Sequence, residues 1–345
     1  MLDGVKDFKP VPMPQSQFLV SADPSADSPT KPGSEVKNGK PSNLPAETTQ
    51  LIHTLHAANH MRDTLFPVQN ALDMGLLPDA DMLDDKELAA HQLKTNLSAL
   101  SASGVKVPAH VRSLLSSFPQ MARLALPLAK EDMREFAEGR KASLFSDVEL
   151  WGKVHDGIDS LNKNYLQQYQ KIVSTYTDFY KNFSDMVLAK IGGWVESVSG
   201  GDGKADKIKL LVGPMQEALG SVVSKSTLVL YEGSDAAKWF KDMTGKDSGS
   251  SNGLKLEGNQ VKIDTSVLDE MKTNLGNLKK PESLDSAAFQ AWKSGFDSQA
   301  EQLKNTLQVL TQKYSNANST FDNMVKILSS TITACLETDK LFLQI

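Results

Sequence analysis

The strongest constraint on this chain is an unbroken seven-residue apolar period in its last sixty residues. One row reads Ala300, Leu307, Tyr314, Phe321, Leu328 and Cys335; a second, three residues on, reads Leu303, Leu310, Ala317, Met324 and Thr331. Two rows separated by alternating steps of three and four are the a and d positions of a left-handed coiled coil, sustained here over about five heptads. Phe289 and Phe296 carry the seam upstream, and no proline follows Pro281. One helix can therefore run from about Leu284 to about Phe342, on the order of 80 to 90 Å at 1.5 Å per residue. Such a helix needs a partner, and the sequence supplies one. Trp151, Ile158, Tyr165, Ile172, Phe179 and Met186 also fall every seventh residue, and no proline lies between Pro127 and Pro214.

Two long rods joined by roughly ninety residues imply an antiparallel pair with a domain inserted at one end. The expected fold is mainly α with a smaller α+β part: a long antiparallel central coiled coil, an amino-terminal helical hairpin, and a mixed α/β domain between the coiled-coil helices. Residues 1–45 hold eight of the fifteen prolines and almost no apolar pattern, so disorder is expected there. Residues 46–118 read as the hairpin, with Leu51, Leu55, Ala58, Leu65 and Leu72 on one helix face. Asp84 and Asp85 open a second helix that stops at Gly104, and Pro108 starts a third through Phe118. A connector over 119–145 leads to the first rod, 146–191, with Ser146 or Asp147 as N-cap ahead of Glu149. This rod ends at Gly192-Gly193. In the insert, 192–285, residues 207–212 and 227–231 read as strands followed by helices. Residues 254–264 read as a hairpin on a Gly258-Asn259 turn, and Thr265 caps a further helix. The second rod spans 286–345.

Composition narrows the function. A net charge of −5 with no basic face argues against nucleic-acid binding. No stretch approaches the ~20 apolar residues of a membrane span, and the first residues lack the apolar core of a secretory signal peptide. The single cysteine, Cys335, sits on the seam as a small hydrophobe. His53, His56 and His60 share a helix but are joined by no Asp, Glu or Cys at helical spacing, so no metal site and no cofactor is expected. The glycine-rich stretch 199–206 has Val198 and Ala205 where a phosphate loop needs Gly and Ser or Thr. Asp79, Asp81, Asp84 and Asp85 lack the Gly and Glu of an EF-hand. No catalytic set is visible, and an enzyme is not expected.

The second rod changes along its length. Its e and g positions are polar upstream (Lys304, Thr306, Thr311, Lys313) and apolar downstream (Val325, Ile327, Ile332, Ala334). A two-stranded seam has no use for that wider apolar face, whereas a third or fourth helix does; the hairpin is expected to cover it. Between 314 and 334 only Asp322 and Lys326 are charged, and Ser315, Asn316, Asn318, Ser319, Asn323, Ser329 and Ser330 are expected to point outward. That polar, weakly charged face suits contact with another protein.

The segments 310–332 (LTQKYSNANSTFDNMVKILSSTI), 176–194 (YTDFYKNFSDMVLAKIGGW), 290–296 (QAWKSGF) and 88–105 (LAAHQLKTNLSALSASGV) resemble the IpaD, SipD and BipD family of type III secretion needle-tip proteins, most of all its SipD-like members. The resemblance covers most of the chain from about residue 46. It implies a hydrophilic translocator that is exported through the needle, caps it as a self-oligomer at the bacterial surface, controls secretion, and helps hydrophobic translocators form a pore in the host membrane. Its implied partners are the needle subunit, those translocators and, for some members, bile salts as regulatory ligands. By position, Gln312, Lys313, Tyr314, Asn316, Asn318, Asn323 and Lys326 fall on the helix the family uses toward the needle. The alternative from another class is a secreted coiled-coil effector or structural protein with a host partner.

Overall fold

The computed structural model describes residues 45–109, 111–112, 146–199, 207–279 and 281–343. The expectations for 1–44, for the connector 119–145, for the third helix beyond residue 112 and for the glycine-rich stretch 200–206 lie outside these residues.

Helix α1, Ala46–Asp73, and α2, Ala80–Ala102, form the hairpin. The chain turns between them through Gly75 at φ +72°, a conformation that suits glycine. Asp79, and not Asp84 or Asp85, caps α2: its carboxylate accepts from the Met82 amide at 2.8 Å. The first rod opens with a capping box. Ser146 Oγ accepts from the Glu149 amide (3.2 Å), and the Glu149 carboxylate accepts from the Ser146 amide (2.8 Å).

That rod differs from the uninterrupted helix expected over 146–191. It consists of α3, Asp147–Leu161, a π-helical turn at Asn162–Leu166, and α4, Gln167–Met186. The extra residue of a π turn rotates the chain relative to the heptad. Tyr165 is thereby only half-buried, while Leu166 and Tyr169 go fully inside. Val187, at φ −118°, ends the α-helix five residues before Gly192, and a 3₁₀ stretch, Leu188–Trp194, follows. Met186 is accordingly half-buried as well, whereas Trp151, Ile158, Ile172 and Phe179 fill the core.

The inserted domain carries two antiparallel sheets. Strands β1, Val195–Val198, and β2, Lys207–Leu210, pair with each other. The larger sheet has the order β3-β6-β5-β4, built from β3, Val229–Glu232, β4, Ser250–Ser251, β5, Leu254–Glu257, and β6, Gln260–Ile263. The β5–β6 turn is Gly258-Asn259, with Gly258 at φ +59°. Helices α5, Val212–Lys225, α6, Ala236–Thr244, and α7, Ser266–Gly276, pack around it. At α7 the cap is the Asp264 carboxylate, which accepts from the Ser266 amide at 3.0 Å; the Thr265 side chain makes no cap bond.

Helix α8, Ser286–Leu343, runs unbroken for 58 residues, about 87 Å at 1.5 Å per residue. Its direction relative to the first rod follows from two contacts. Tyr176 Oη donates to the Leu303 carbonyl (3.1 Å), and Tyr314 Oη lies 3.4 Å from Gln170 Oε1. As one number falls the other rises, so the pair is antiparallel. Helix α2 runs antiparallel to the first rod, through Ser101 to the Val148 carbonyl (3.2 Å), Lys94 to Asp159 (3.0 Å) and Lys86 to Gln170 (2.7 Å). Helix α1 lies along α8, and the four elements enclose one apolar core.

Candidate functional site

Burial divides the lower half of α8 into three stripes. The seam toward the first rod holds Tyr314, Ala317, Phe321, Met324, Leu328, Thr331 and Cys335, all nearly inaccessible. Upstream the same seam continues with Leu303 and Leu310 buried and Leu307 half-buried. Burial also pushes the Tyr314 phenol well above its usual range, with the Glu87 charge adding to the effect. Tyr314 is thus a neutral core group.

The second stripe faces α1. Ser315 Oγ donates to Asp73 (2.9 Å) and accepts from Gln69 Nε2 (2.7 Å). Asn318 Nδ2 donates to Gln69 Oε1 (3.0 Å) and lies 3.4 Å from the Leu65 carbonyl. Asp322 pairs with Arg62 at 3.8 Å. Steps of three and four from these anchors lead to Val325, Ser329 and Ile332, which are buried in turn. Three polar residues expected to face outward, Ser315, Asn318 and Ser329, are therefore covered. The reason is chemical. Short hydroxyl and amide side chains can be buried when hydrogen-bonded, and Ser315 and Asn318 find partners on α1 while Ser329 donates to the Val325 carbonyl (3.0 Å). The apolar flank is also split. Val325 and Ile332 lie on the α1 side, whereas Ile327 and Ala334, about 200° away around the helix from Val325 and Ile332 respectively, are half-buried on the other side of the seam.

The third stripe is exposed: Gln312, Asn316, Asn323, Lys326 and Ser330, with Ser319 half-buried among them. Gln312 Nε2 donates to Asn316 Oδ1 (3.1 Å), and Lys326 pairs with Asp322 one turn back. The stripe offers amide and hydroxyl groups with almost no free charge. Of the residues singled out for needle contact, Gln312, Asn316, Asn323 and Lys326 share this surface. Tyr314 and Asn318 do not, and Lys313 is half-buried because its ammonium donates to the Asp242 carbonyl of α6 at 2.7 Å.

That α6 contact belongs to a junction the heptads gave no sign of. The Tyr169 hydroxyl donates to the Asp242 carboxylate. Trp239 meets Tyr165, Tyr169 and Tyr231 at ring-centroid distances of 5.7, 5.2 and 5.5 Å. The π turn thus aims Tyr165 at the insert and fastens the insert to the rod. The sequence shows Tyr165 and Tyr169 one turn apart, but their partner Trp239 lies seventy residues on, so no local pattern marks the junction.

His53, His56 and His60 are exposed along α1, and among the described residues no helix is long and apolar enough to cross a membrane.

The fold and its surfaces define a helical rod that folds its own hairpin against itself and leaves one polar stripe of α8 exposed. The sequence profile of type III secretion systems tip complex components matches residues 34–343, and the chain belongs to that family. The cell invasion protein SipD of Salmonella typhi is 38% identical over 285 residues, 76% of this chain and 78% of that protein. The invasin IpaD of Shigella flexneri is 34% identical over 318 residues, 87% and 91% of the two chains. The crystal structure of the pathogenicity island 1 effector protein from Chromobacterium violaceum superposes with a TM-score of 0.63 at 29% identity, over 85% of this chain and 98% of that one. The chain is a type III secretion needle-tip protein.

Proposed function

We propose that the chain caps the needle by docking the exposed stripe of α8, Gln312, Asn316, Asn323 and Lys326, against the needle subunit. There it oligomerises, restrains secretion and supports insertion of the hydrophobic translocators into the host membrane. One observation carries this reading: the stripe occupies the face of α8 turned away from the seam from Gln312 to Ser330, and its single charged pair, Lys326 with Asp322, is internally neutralised. Burying such a surface avoids the several kcal/mol that each unpaired buried charge costs. The test is a binding titration of the full chain against the cognate needle subunit. The double variant Asn316→Glu with Asn323→Glu should lose roughly tenfold or more in affinity, about 1.4 kcal/mol or more, and secretion should become unregulated. Unchanged affinity would move docking off this face.

Bile salts remain the proposed regulatory ligand. The α2–α3 groove, about 920 Å³, is lined by His91, Lys94, His155, Asn162 and Lys163. The buried Asn162 Oδ1 and His155 Nε2 have no hydrogen-bond partner among the described residues. Glu87 and Asp159 also line the groove, and Asp159 pairs with both Lys94 (3.0 Å) and Lys163 (3.2 Å). An amphipathic anion would take the place of Asp159 on these ammonium groups and rest on the wall formed by Ala90, Ala99 and Ala102. A deoxycholate titration followed by amide chemical shifts should perturb α2 and α3 first; shifts confined to other elements would remove this groove from the proposal.

A further inference from the structure

Lys86 is the one fully buried lysine among the described residues. It sits on α2 with 0% of its surface exposed, and α2 belongs to the hairpin. Its ammonium donates to Gln170 Oε1 of α4 at 2.7 Å and lies 6.0 Å from the centre of the Tyr314 ring of α8. No carboxylate among the described residues pairs with it. An ammonium has three donors and a full charge, so one amide oxygen and a distant ring leave most of its lost hydration unreplaced. A buried cation in that position opposes the packing that buries it.

We propose that Lys86 is a built-in release element: its unpaired charge holds the docking of the hairpin on the two rods weak enough for the hairpin to detach. Detachment returns the ammonium to water. It also bares Asn318, Val325 and Ile332, the stripe of α8 under α1, for another helix. The surrounding groups agree with this role. The α4 neighbour, Gln170, is neutral; the α8 neighbour, Tyr314, is a phenol kept neutral by burial; and on α2 itself the flanking carboxylates, Asp85 and Glu87, are both exposed and pair with no atom of the ammonium. Burial accordingly pushes the Lys86 ammonium down to about 8, against a smaller opposing pull from Glu87.

The sign of the pH dependence follows. In the detached hairpin Lys86 keeps its proton up to the ordinary lysine value of 10.5, whereas docked it loses it near 8. Docking therefore carries the full penalty below pH 8 and strengthens as pH rises from about 8 toward 10.5.

The test is hydrogen exchange of the full-length protein, with rates corrected for intrinsic pH dependence. In Lys86→Met the α1 and α2 amides should exchange at least tenfold more slowly than in the wild type at pH 7.5. Wild-type protection should rise between pH 7.5 and 9.5, and the variant should lose that rise. Hairpin amides that exchange as fast as in the wild type, or faster, would overturn the proposal, because Lys86 would then be holding the hairpin on. Should Lys86→Met fail to fold, Gln170→Glu decides: it gives the ammonium a carboxylate, so the rise above pH 8 should vanish. A rise that persists unaltered in Gln170→Glu would also overturn it.

Discussion

The two halves of α8 carry the same heptad signal but live in different surroundings. From Ser286 to Lys313 the helix buries a narrow line, Trp292, Phe296, Leu303, Thr306 and Leu310, with Gln299 and Thr311 beside it. From Tyr314 to Leu336 it buries two adjacent stripes, one against the first rod and one against α1. In the lower half the second stripe includes serine and asparagine, and there polarity marks a hydrogen-bonded interface and not a solvated face. The upper half meets the insert instead, through side chains such as Lys313 on the Asp242 carbonyl and, at one point, by close backbone approach. Gly253 sits at φ +68° on the β4–β5 turn, where a Cβ would lie 2.5 Å from Thr306 Oγ1.

The largest way to break the contrast is Leu307→Pro, which severs the halves. It removes one helix hydrogen bond and adds a clash, about 3 kcal/mol or more, on top of the seam packing lost on both sides. A circular dichroism melt should show a large drop in midpoint, and an unchanged midpoint would mean that α8 is not one continuous paired rod. Next comes one substitution placed in each half. Leu328→Ala, at a residue with 0% exposure, should cost about 3–5 kcal/mol in denaturant unfolding, while Leu307→Ala, at a half-buried site, should cost roughly half as much. Equal costs would remove the distinction between a wide and a narrow buried face. Smaller still is Gly253→Ala, expected to cost about 1–3 kcal/mol because a left-handed backbone and a close contact are both forced. Its effect should appear as faster hydrogen exchange in β4 and β5, with the hairpin unchanged.

The contrast also shows what could be read in advance. Period and proline placement located both rods and the insertion between them, because seam burial requires apolar side chains at fixed spacing. An N-cap at Ser146 or Asp147 and the Gly258-Asn259 turn were legible because each depends on a few adjacent residues; the structure settles the cap on Ser146, with Glu149 completing a capping box. The π turn at Asn162–Leu166 was not: its driving contact, Tyr165 on Trp239, joins residues far apart in sequence. The α2 cap was placed at Asp84 or Asp85 because four aspartates crowd that stretch and any of them can accept an amide bond. The outer face of α8 was misjudged at Ser315, Asn318 and Ser329. Their residue types are equally common on wet surfaces and in hydrogen-bonded helix contacts, and only the path of α1 tells the two apart. Lys86 was missed for the same reason, since a lysine on an amphipathic helix gives no sign of burial.

The division of α8 into a covered and an open polar stripe is the central claim, and paired melts of two charge variants test it most directly. Asn316→Glu with Asn323→Glu adds two charges to exposed positions, and its unfolding free energy should stay within about 0.5 kcal/mol of wild type. Asn318→Glu adds one charge under α1, where the residue is 0% exposed, and should lose about 3 kcal/mol or more. A large loss in the double variant, or none in Asn318→Glu, would contradict the claim.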